Sequence, residues 1–214
     1  MNKIAKALIA EPGKKIRLGK INPSECLGFE KEECAGLLDK NLDKLALLQY
    51  QLYAESKRSL LIVLQGIDAG GKDGTIRRVM TSFNPQGTRV TSFKVPAGEE
   101  ATHDYLWRVH KAMPGAGEVA IFNRSHYEEV LVVRVHNIVP KPVWSKRYRH
   151  INDFEEMLAD NGTKIVKFFL YIDKDEQKLR FEERLTDPAK KWKFSPKDLD
   201  ERKFWDDYTA AFEE

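Results

Sequence analysis

The apolar positions of this chain follow two periods that alternate along the sequence. Short, nearly continuous apolar runs occupy 60–64, 118–122 and 164–172, and a more alternating run occupies 89–95. Such runs are typical of strands in a parallel sheet. Between these runs the apolar side chains recur every three or four residues, which predicts helices. Strands that alternate with helices indicate an α/β fold with a parallel sheet.

The predicted helices are separated by turns rich in proline and glycine. The helix over 31–57 carries a stripe of leucines that should cover the sheet or a partner subunit: Leu38, Leu42, Leu45, Leu48 and Leu52. Gly162 is expected to end the helix over 143–161. The other helical segments are predicted at 73–80, 98–113, 127–133, 176–185 and 196–214.

A glycine-rich turn joins the first apolar run to the next helix. It has the spacing Gly66-x-x-x-x-Gly71-Lys72, which between a strand and a helix is the P-loop motif. Its glycines let successive backbone N–H groups point inward, and the start of the following helix adds positive potential. Lys72 would reach phosphate oxygens as a point charge. The predicted phosphate-binding residues are Gly66, Ala69, Gly70, Gly71, Lys72, Asp73, Gly74 and Thr75.

Two aspartates make this turn unusual. Asp73 follows the lysine where the motif has Ser or Thr, so the customary hydroxyl ligand for Mg²⁺ is missing. Asp68 lies inside the turn, where its carboxylate would repel a phosphate unless a divalent cation lay between them. Asp68 is therefore a candidate metal ligand. The alternative is an ordinary turn aspartate that bonds its own backbone.

A polar cluster at 123–129 follows the third strand along the chain. In open α/β sheets ligands bind beyond the carboxyl ends of the strands, so this cluster should lie close to the P-loop. Asn123 stands where P-loop folds usually have a metal-holding aspartate, which makes it a neutral candidate ligand. Arg124 could fork onto phosphate oxygens. Ser125 and Glu128 also have the spacing of a helix cap, and both roles can hold together.

The segment 184–196 is dense in cations, contains Trp192 and includes Pro188 and Pro196. Three interpretations stay open for it: a mobile lid that closes over phosphates, a surface for single-stranded nucleic acid, or a solvated basic loop. The P-loop favours the lid, because it supplies a site on which a lid can close.

Composition narrows the class of protein. The chain has 214 residues and a formal net charge of +3, and charged residues of both signs make up 32% of it. This mild net charge does not imply nucleic-acid binding. Cys26 and Cys34 form no Cys-x-x-Cys pair, which argues against a disulfide scaffold or a zinc site and favours a reducing cytosol. No segment approaches the ~20 apolar residues of a membrane span, and the N-terminus has no signal-peptide core.

The two ends of the chain carry further expectations. Residues 1–30 are basic and rich in Pro and Gly, and we expect an extended arm ahead of a single domain at 31–214. The cations between residues 14 and 20 could touch an anionic ligand, although a solvated arm is the simpler account. P-loop sheets commonly have at least five strands, whereas four are predicted here, so we expect a C-terminal strand to be missing beyond Glu214.

Three stretches together resemble the family-2 polyphosphate kinases: 65–75, 122–132 and 184–194. The first is similar to the Walker A turn of that family. The second is similar to its Asn-Arg-Ser-x-Tyr-Glu motif, and the third to its lid. Their order and spacing are far more specific than the P-loop alone. The resemblance extends from the leucine helix to the end of the chain.

The resemblance implies a P-loop kinase similar to thymidylate kinase, with three α/β/α layers around a parallel sheet and a helical lid at about 184–196. Such enzymes move a phosphoryl group reversibly between inorganic polyphosphate and purine nucleotides, with Mg²⁺ or Mn²⁺. The motif places this chain with the branch that acts on both nucleoside mono- and diphosphates. AMP, ADP, GMP and GDP are therefore the expected acceptors. A cytoplasmic homo-oligomer, dimer or tetramer, is also expected.

The resemblance also implies residue roles. Asp68 would position the metal and would activate the acceptor phosphate. Lys72 and Arg124 would neutralise charge on the transferring phosphoryl group. Glu128 stands where branches restricted to one acceptor have Asn, which implies a role in acceptor choice that we extend to Asn123. The predicted catalytic residues are Asp68, Lys72, Arg124 and Arg184.

Polyphosphate is a long row of negative charges, so it needs a track of cations rather than a pocket. On the resemblance, Arg184 would reach the site from the lid. The predicted polyphosphate-binding residues are Lys72, Arg124, Arg134, Lys190, Lys191 and Lys193. Two other functions stay open: a nucleotide or small-metabolite kinase that uses ATP alone, and a P-loop switch protein whose basic segment grips RNA or a partner.

Overall fold

A computed structural model of the chain describes residues 6–214. Leu38–Tyr171 forms one compact unit, and the described residues up to Leu37 form a second unit together with Ile172–Glu214. Residues 1–5 of the expected N-terminal arm lie outside the described residues. The expected division into an arm at 1–30 and a single domain at 31–214 stays a prediction.

The first unit is built on a four-stranded parallel sheet with the order β2-β3-β1-β4. Its strands are β1 (Ser59–Gln65), β2 (Thr88–Ser92), β3 (Val119–Asn123) and β4 (Thr163–Phe169). Leu64 of β1 pairs with Asn123 of β3, and Gln65 pairs with Phe169 of β4. The carboxyl ends of these three strands are therefore level, and the segments that follow them leave the sheet at one edge.

The α/β class predicted from the alternating periods is confirmed. The helices are α1 (Lys31–Glu55), α2 (Lys72–Val79), α3 (Trp107–Lys111), α4 (Val132–Val135), α5 (Lys141–Asp160), α6 (Lys174–Thr186), α7 (Pro196–Glu201) and α8 (Trp205–Glu213). Helices on both faces of the sheet give a three-layer α/β/α arrangement.

Strand residues alternate between two apolar clusters, one on each face of the sheet. One cluster joins Leu61, Val63, Ala120 and Phe122 to residues of α3 and α5, namely Val109, Phe154 and Leu158. The other joins Ile62, Leu64, Val119 and Ile121 to residues of α1 and α2 and the turn after α2, namely Leu45, Leu52, Ile76 and Met80. The buried strands are apolar on both sides because both sides are covered.

The leucine stripe of α1 covers the sheet in part, and contact of its other leucines with a partner subunit stays a prediction. Leu45 and Leu52 pack against the sheet as expected, but Leu48 has 58% of its surface exposed. Gln49, only 5% exposed, occupies the inward position instead, and its side-chain oxygen accepts a bond from the backbone N–H of Asn84. Steps of four and three from Leu45 to Gln49 to Leu52 follow the helical period better than a leucine-only pattern does.

The helix predicted over 98–113 is wrong in its first part. The structure has a 3₁₀ turn at Gly98–Thr102, followed by the short α3. Between them Asp104 accepts a bond from the backbone N–H of Leu106 through its side chain, at 2.9 Å. Such local side-chain bonds compete with the helical ladder, which explains the interruption.

Two other helical predictions were too long. The segment predicted at 127–133 is a 3₁₀ turn at His126–Glu129 followed by α4. The segment predicted at 196–214 is divided into α7, a 3₁₀ turn at Arg202–Phe204 and α8. Gly162 does follow α5 in the left-handed conformation, with φ +88°, as predicted.

The described part of the arm is held to α8 within the second unit. Arg17 Nη1 donates to Glu213 Oε2 at 2.8 Å, and the backbone N–H of Leu18 donates to Glu213 Oε1 at 2.8 Å. Leu18 is buried. In residues 6–214, no helix combines the length and apolar character that crossing a bilayer requires.

Candidate active site

The turn between β1 and α2 has the backbone of a phosphate-binding loop. Gly71 caps α2 in the left-handed region, with φ +102°. A Cβ added to Gly66 would lie 2.7 Å from the carbonyl oxygen of Leu170, and one added to Gly70 would lie 2.8 Å from that of Ile67. Side chains at these two positions would collide with backbone, so the loop requires glycine there. Ala69 also has a positive φ, of +63°.

Lys72, the first residue of α2, folds back under the loop that precedes it. Its Nζ donates to the carbonyl oxygens of Gly66 at 2.6 Å and Ile67 at 3.2 Å. Burial lowers the pKa of this ammonium, and the neighbouring guanidinium of Arg124 lowers it further. The carboxylates around it, which include Asp68 and Glu128, act in the opposite direction. Lys72 therefore places its charge at the centre of an acidic and basic cluster.

Asp68 and Arg124 are joined across the site. Arg124 Nη2 donates to Asp68 Oδ1 at 2.6 Å, and both side chains are partly exposed. The backbone of Arg124 is in the left-handed region, with φ +62°, and its N–H donates to the carbonyl oxygen of Leu64 at 3.1 Å. This bond continues the pairing of β3 with β1 and places the guanidinium over the loop. From the sequence, Asp68 was predicted to be a metal ligand or an ordinary turn aspartate. Its ion pair with Arg124 was not predicted.

Asn123 and Asp73 form a second contact between the two edges of the site. The amide Nδ2 of Asn123, the last residue of β3, donates to Asp73 Oδ1 at 2.8 Å. Asp73 lies in the first turn of α2, where a carboxylate is favourable to the helix dipole. Asp73 stands where the P-loop motif has Ser or Thr, and Asn123 stands where P-loop folds usually have Asp. The two unusual residues therefore contact each other.

The oxygens of Asp68, Asp73 and Asn123 are the hard donors that Mg²⁺ prefers. Within residues 6–214, no group of three or more His, Cys, Asp or Glu side chains could enclose a metal ion. Mg²⁺ is commonly bound by one or two carboxylates together with substrate phosphates and water, rather than by a closed protein cage. The residues present fit that kind of open site.

Glu128 faces the same cluster from the turn after β3. Burial raises the pKa of its carboxyl, while the charges of Arg124 and Lys72 act to lower it. In the amide orientation that satisfies both its oxygen and its nitrogen, Gln65, the last residue of β1, donates through nitrogen to Glu128 Oε1 at 3.1 Å. Glu128 is thus partly buried and held by the strand that leads into the P-loop.

Ser125 caps the turn as predicted. Its Oγ accepts a bond from the backbone N–H of Tyr127 at 3.1 Å. The predicted α-helix after this cap is instead a 3₁₀ turn. Glu129 next to the site bonds Arg147 of α5, and burial raises the pKa of Glu129.

A group of hydrogen-bonded side chains beside this turn was missed in the sequence, and of these only His126 is fully buried. We call it the Glu155 cluster (His126, Tyr127, Glu155 and Lys167). Glu155 Oε1 lies 3.1 Å from His126 Nε2 and accepts from the Tyr127 hydroxyl at 2.7 Å, while Oε2 accepts from Lys167 Nζ at 2.7 Å. Although burial opposes it, these hydrogen bonds lower the pKa of Glu155 to about 2. No sequence signal marks Glu155, which is one of several acids on α5.

The predicted polyphosphate-binding cations lie in both compact units: Lys72, Arg124 and Arg134 in the first, and Lys190, Lys191 and Lys193 in the second. Lys72 and Arg124 belong to the cluster at the P-loop. Arg134, in α4, instead donates to the Tyr148 hydroxyl at 2.9 Å and lies 4.9 Å from the centre of the Trp144 ring. Its guanidinium is therefore packed against α5, and its part in binding polyphosphate stays a prediction.

The lid segment (184–196) belongs to the second unit. Arg184, near the end of α6, donates to Asp198 Oδ2 at 3.3 Å. Lys190 pairs with Glu183 at 2.5 Å and Asp187 at 3.6 Å, and Lys191 opens a 3₁₀ turn that ends at Lys193. The Nζ of Lys193 lies 5.2 Å from the centre of the Trp192 ring, and Trp192 is 77% exposed. All of these contacts lie within the second unit. The role of the segment as a lid stays a prediction.

Comparison with known proteins identifies the family. The family model for polyphosphate kinase 2 matches residues 29–214. The chain belongs to the polyphosphate kinase 2 family. It is 53% identical over 208 residues to the AMP/ADP-polyphosphate phosphotransferase of Meiothermus ruber, covering 95% of this chain and 77% of that protein. It is 47% identical over 215 residues to the ADP-polyphosphate phosphotransferase of Rhodopseudomonas palustris, covering 94% of this chain and 74% of that protein.

A solved member of the polyphosphate kinase 2 family has the same fold. The crystal structure of polyphosphate kinase 2 from Arthrobacter aurescens TC1 matches with a TM-score of 0.93 and 43% identity, covering 98% of this chain and 75% of that one. The resemblance inferred from three sequence stretches is thereby confirmed at the level of family and fold. The residue roles that it implied stay predictions.

Proposed function

We propose that this chain transfers a phosphoryl group reversibly between inorganic polyphosphate and a purine nucleotide. AMP and ADP are the proposed acceptors, with GMP and GDP as further ones, and ADP and ATP are the products from the adenine nucleotides. The observation that carries this proposal is the cluster of Lys72, Arg124 and Asp68 at the P-loop edge of the sheet. It supports the proposal because the chain belongs to a family whose named relatives act on polyphosphate and on AMP or ADP.

Phosphoryl transfer needs little covalent chemistry from a protein; it needs in-line positioning and positive charge around the moving group. The backbone N–H groups of the loop from Gly66 to Thr75 would hold phosphate oxygens at the start of α2. Lys72 would exchange its present carbonyl partners for phosphate oxygens. Arg124 would offer two parallel donors to the equatorial oxygens of the transferring group.

A divalent cation is part of the proposal, with Mg²⁺ or Mn²⁺ as the ion. Asp68 and Asn123 are the proposed ligands, and Asp73 adds a third oxygen donor that contacts Asn123. When bound, the ion would supply positive charge to phosphate oxygens that these side chains alone cannot neutralise. Asp68, whose carboxylate now pairs with Arg124, would also orient the acceptor phosphate.

The remaining site residues are proposed to select the acceptor nucleotide and to bind polyphosphate. Glu128 and Asn123 would contact the acceptor nucleotide at the carboxyl end of β3. The cations of the lid segment would extend the polyphosphate track, and their charges suit that ligand: Arg184, Lys190, Lys191 and Lys193. Arg134, which contacts Tyr148 and Trp144, is also proposed for this track.

The place of action and the assembly are also proposals. We propose that the protein acts in a reducing cytoplasm. Within the described residues, Cys26 and Cys34 are exposed free thiols, which is typical of that compartment. A homo-oligomer, dimer or tetramer, is supported by apolar side chains that α1 exposes, such as Leu47, Leu48 and Tyr50. Light scattering coupled to gel filtration measures the assembly directly.

The function is tested by incubating the purified chain with polyphosphate, Mg²⁺ and AMP, and separating the nucleotides by chromatography. We expect ADP to appear first and ATP to follow. A parallel reaction replaces polyphosphate with ATP as the donor. Transfer from ATP with none from polyphosphate would overturn the proposal and establish the ATP-dependent kinase in its place.

A further inference from the structure

The last residue of β1 is a buried glutamine at the point where the strand enters the P-loop. Gln65 is only 8% exposed, and the residues before it in the strand, from Leu60 to Leu64, are apolar. A buried side-chain amide destabilises a fold unless its donors and acceptor find partners. Gln65 therefore stands out as a polar group whose position is set by what it binds.

The bonds of Gln65 fix which way its amide faces. The Ser125 hydroxyl oxygen already accepts from the backbone N–H of Tyr127, so its proton is available to a second partner. The amide oxygen of Gln65 accepts from Ser125 Oγ at 2.9 Å and from the Ser125 backbone N–H at 3.2 Å. The amide nitrogen then faces Glu128 Oε1 and donates to it at 3.1 Å. Ser125 thus directs the donor of Gln65 at the carboxylate of Glu128.

Glu128 needs such a restraint because of its other neighbours. Arg124 and Lys72 attract its carboxylate, and Asp68 repels it. A carboxylate that is free to turn toward these cations would neutralise charge that the phosphates of a substrate require. The donor of Gln65 holds one oxygen of Glu128 and so restricts that rotation.

We propose that Gln65 is a positioning residue: it fixes the Glu128 carboxylate through a direct hydrogen bond and thereby sets the relative affinity for nucleoside di- and monophosphates. The inference rests on the proposed function in taking nucleotides as the ligands. ADP brings more negative charge to the Lys72 and Arg124 cations than AMP does. Releasing Glu128 toward these cations therefore weakens ADP binding more than AMP binding.

The test compares the Kd values of ADP and AMP, measured by calorimetry with Mg²⁺ present. Replacing the amide with an apolar side chain of similar length, Gln65→Met, should raise the ratio of the ADP Kd to the AMP Kd at least fivefold. Gln65→Glu keeps the size of the side chain but places a carboxyl oxygen against Glu128, so it should move the ratio in the same direction. This second variant keeps the test decisive if Gln65→Met does not fold.

A double-mutant cycle shows whether the effect passes through Glu128. In the Glu128→Gln background, Gln65→Met should change the ratio less than twofold, because the carboxylate that Gln65 restrains is gone. The matched control is Gln49→Met, which removes another buried glutamine, at the opposite edge of the sheet beside Asn84. Gln49→Met should lower the melting temperature without moving the ratio.

Three results would overturn the inference: an unchanged ratio in both Gln65 variants, an equal change in the two Glu128 backgrounds, or no nucleotide binding at all. Binding needs no turnover, so the inference is tested independently of phosphoryl transfer. If the wild type does not transfer phosphate from polyphosphate but the Gln65 variants change the ratio of the ADP Kd to the AMP Kd, only the proposed function is overturned. Normal transfer with a ratio that ignores Gln65 would overturn the inference alone.

Discussion

At the scale of single residues, polar side chains of the site contact one another in pairs. Arg124 contacts Asp68, and Asn123 contacts Asp73. Lys72 differs, because its Nζ donates to backbone carbonyl oxygens of the loop. Carbonyl oxygens carry only partial charge, so a phosphate competes with them more easily than with a carboxylate. Lys72 is therefore the cation of this cluster that is best prepared to bind the transferring group.

Replacing Lys72 with Ala should remove phosphoryl transfer while leaving the fold intact. We expect kcat to fall by roughly 10²–10³, the range found when one charge-stabilising donor of a transition state is lost. Initial rates of ADP formation from AMP and polyphosphate measure this, and circular dichroism checks the fold. The exposed Lys57 is the matched control, and Lys57→Ala should turn over normally. Near-normal turnover in Lys72→Ala would remove this lysine from the mechanism.

At the scale of elements, the P-loop depends on backbone packing as much as on charge. Gly66 and Gly70 lie so close to the carbonyl oxygens of Leu170 and Ile67 that no side chain fits. The strand β4, which carries the chain to Leu170, thereby shapes a loop that follows β1. The sequence motif predicts glycine at 66 from its spacing, but the contact with Leu170 belongs to the tertiary structure.

Gly70→Ala should deform the loop, because the new Cβ would lie 2.8 Å from the Ile67 carbonyl oxygen. We expect a loss of roughly 1–3 kcal/mol in the free energy of unfolding, together with a large fall in transfer rate. Urea denaturation measures the first and product formation the second. Gly36→Ala is the control: it lies within α1 with no atom within 4 Å of the added Cβ, and should stabilise by roughly 0.5–1 kcal/mol. A Gly70→Ala protein as stable and active as the wild type would contradict this account.

The Glu155 cluster should make the free energy of unfolding depend on pH. The pKa of Glu155 is lowered to about 2 in the folded protein from an ordinary value of 4.5. Its ionised form therefore stabilises the fold above pH ~4.5, and this contribution is lost as the pH falls toward 2. Glu155→Gln should cost roughly 2–3 kcal/mol of unfolding free energy at pH 7, and progressively less below pH 4.5.

Urea denaturation of the wild type and Glu155→Gln at a series of pH values measures this difference. Glu156→Gln, one residue along α5 at an exposed position, is the matched control and should show a small difference at every pH. A constant difference between pH 7 and pH 3 would show that the ionisation of Glu155 does not contribute in this way.

At the scale of the whole molecule, the parallel sheet brings together the segments that follow β1 and β3. The two segments are separated by the whole of α2, β2 and α3 along the chain, yet Leu64 and Asn123 are direct partners in the sheet. Because parallel strands end at one edge, residues distant in sequence meet there. The predicted proximity of the P-loop and the 123–129 cluster followed from this rule and is confirmed.

Binding of a polyanion mainly by ion pairs should weaken with salt. We expect the KM for polyphosphate to rise at least fivefold between 50 and 300 mM KCl, since screening shortens the range of each interaction. The KM for AMP, a smaller anion, should rise less over the same range. Initial-rate measurements at constant Mg²⁺ compare the two, and equal salt dependence of both KM values would contradict a cationic track.

The periodicities and the P-loop spacing determined the α/β class, the four strands and the location of the site at the carboxyl edge of the sheet. They did so because buried strands and amphipathic helices each require a pattern that local sequence carries. The tertiary structure alone decided that Gln49 rather than Leu48 faces inward, that Arg124 contacts Asp68, and that Gln65 and Glu155 hold the turn after β3. These bonds join residues tens of positions apart, and only the crossing of strands and helices in three dimensions determines which polar groups meet.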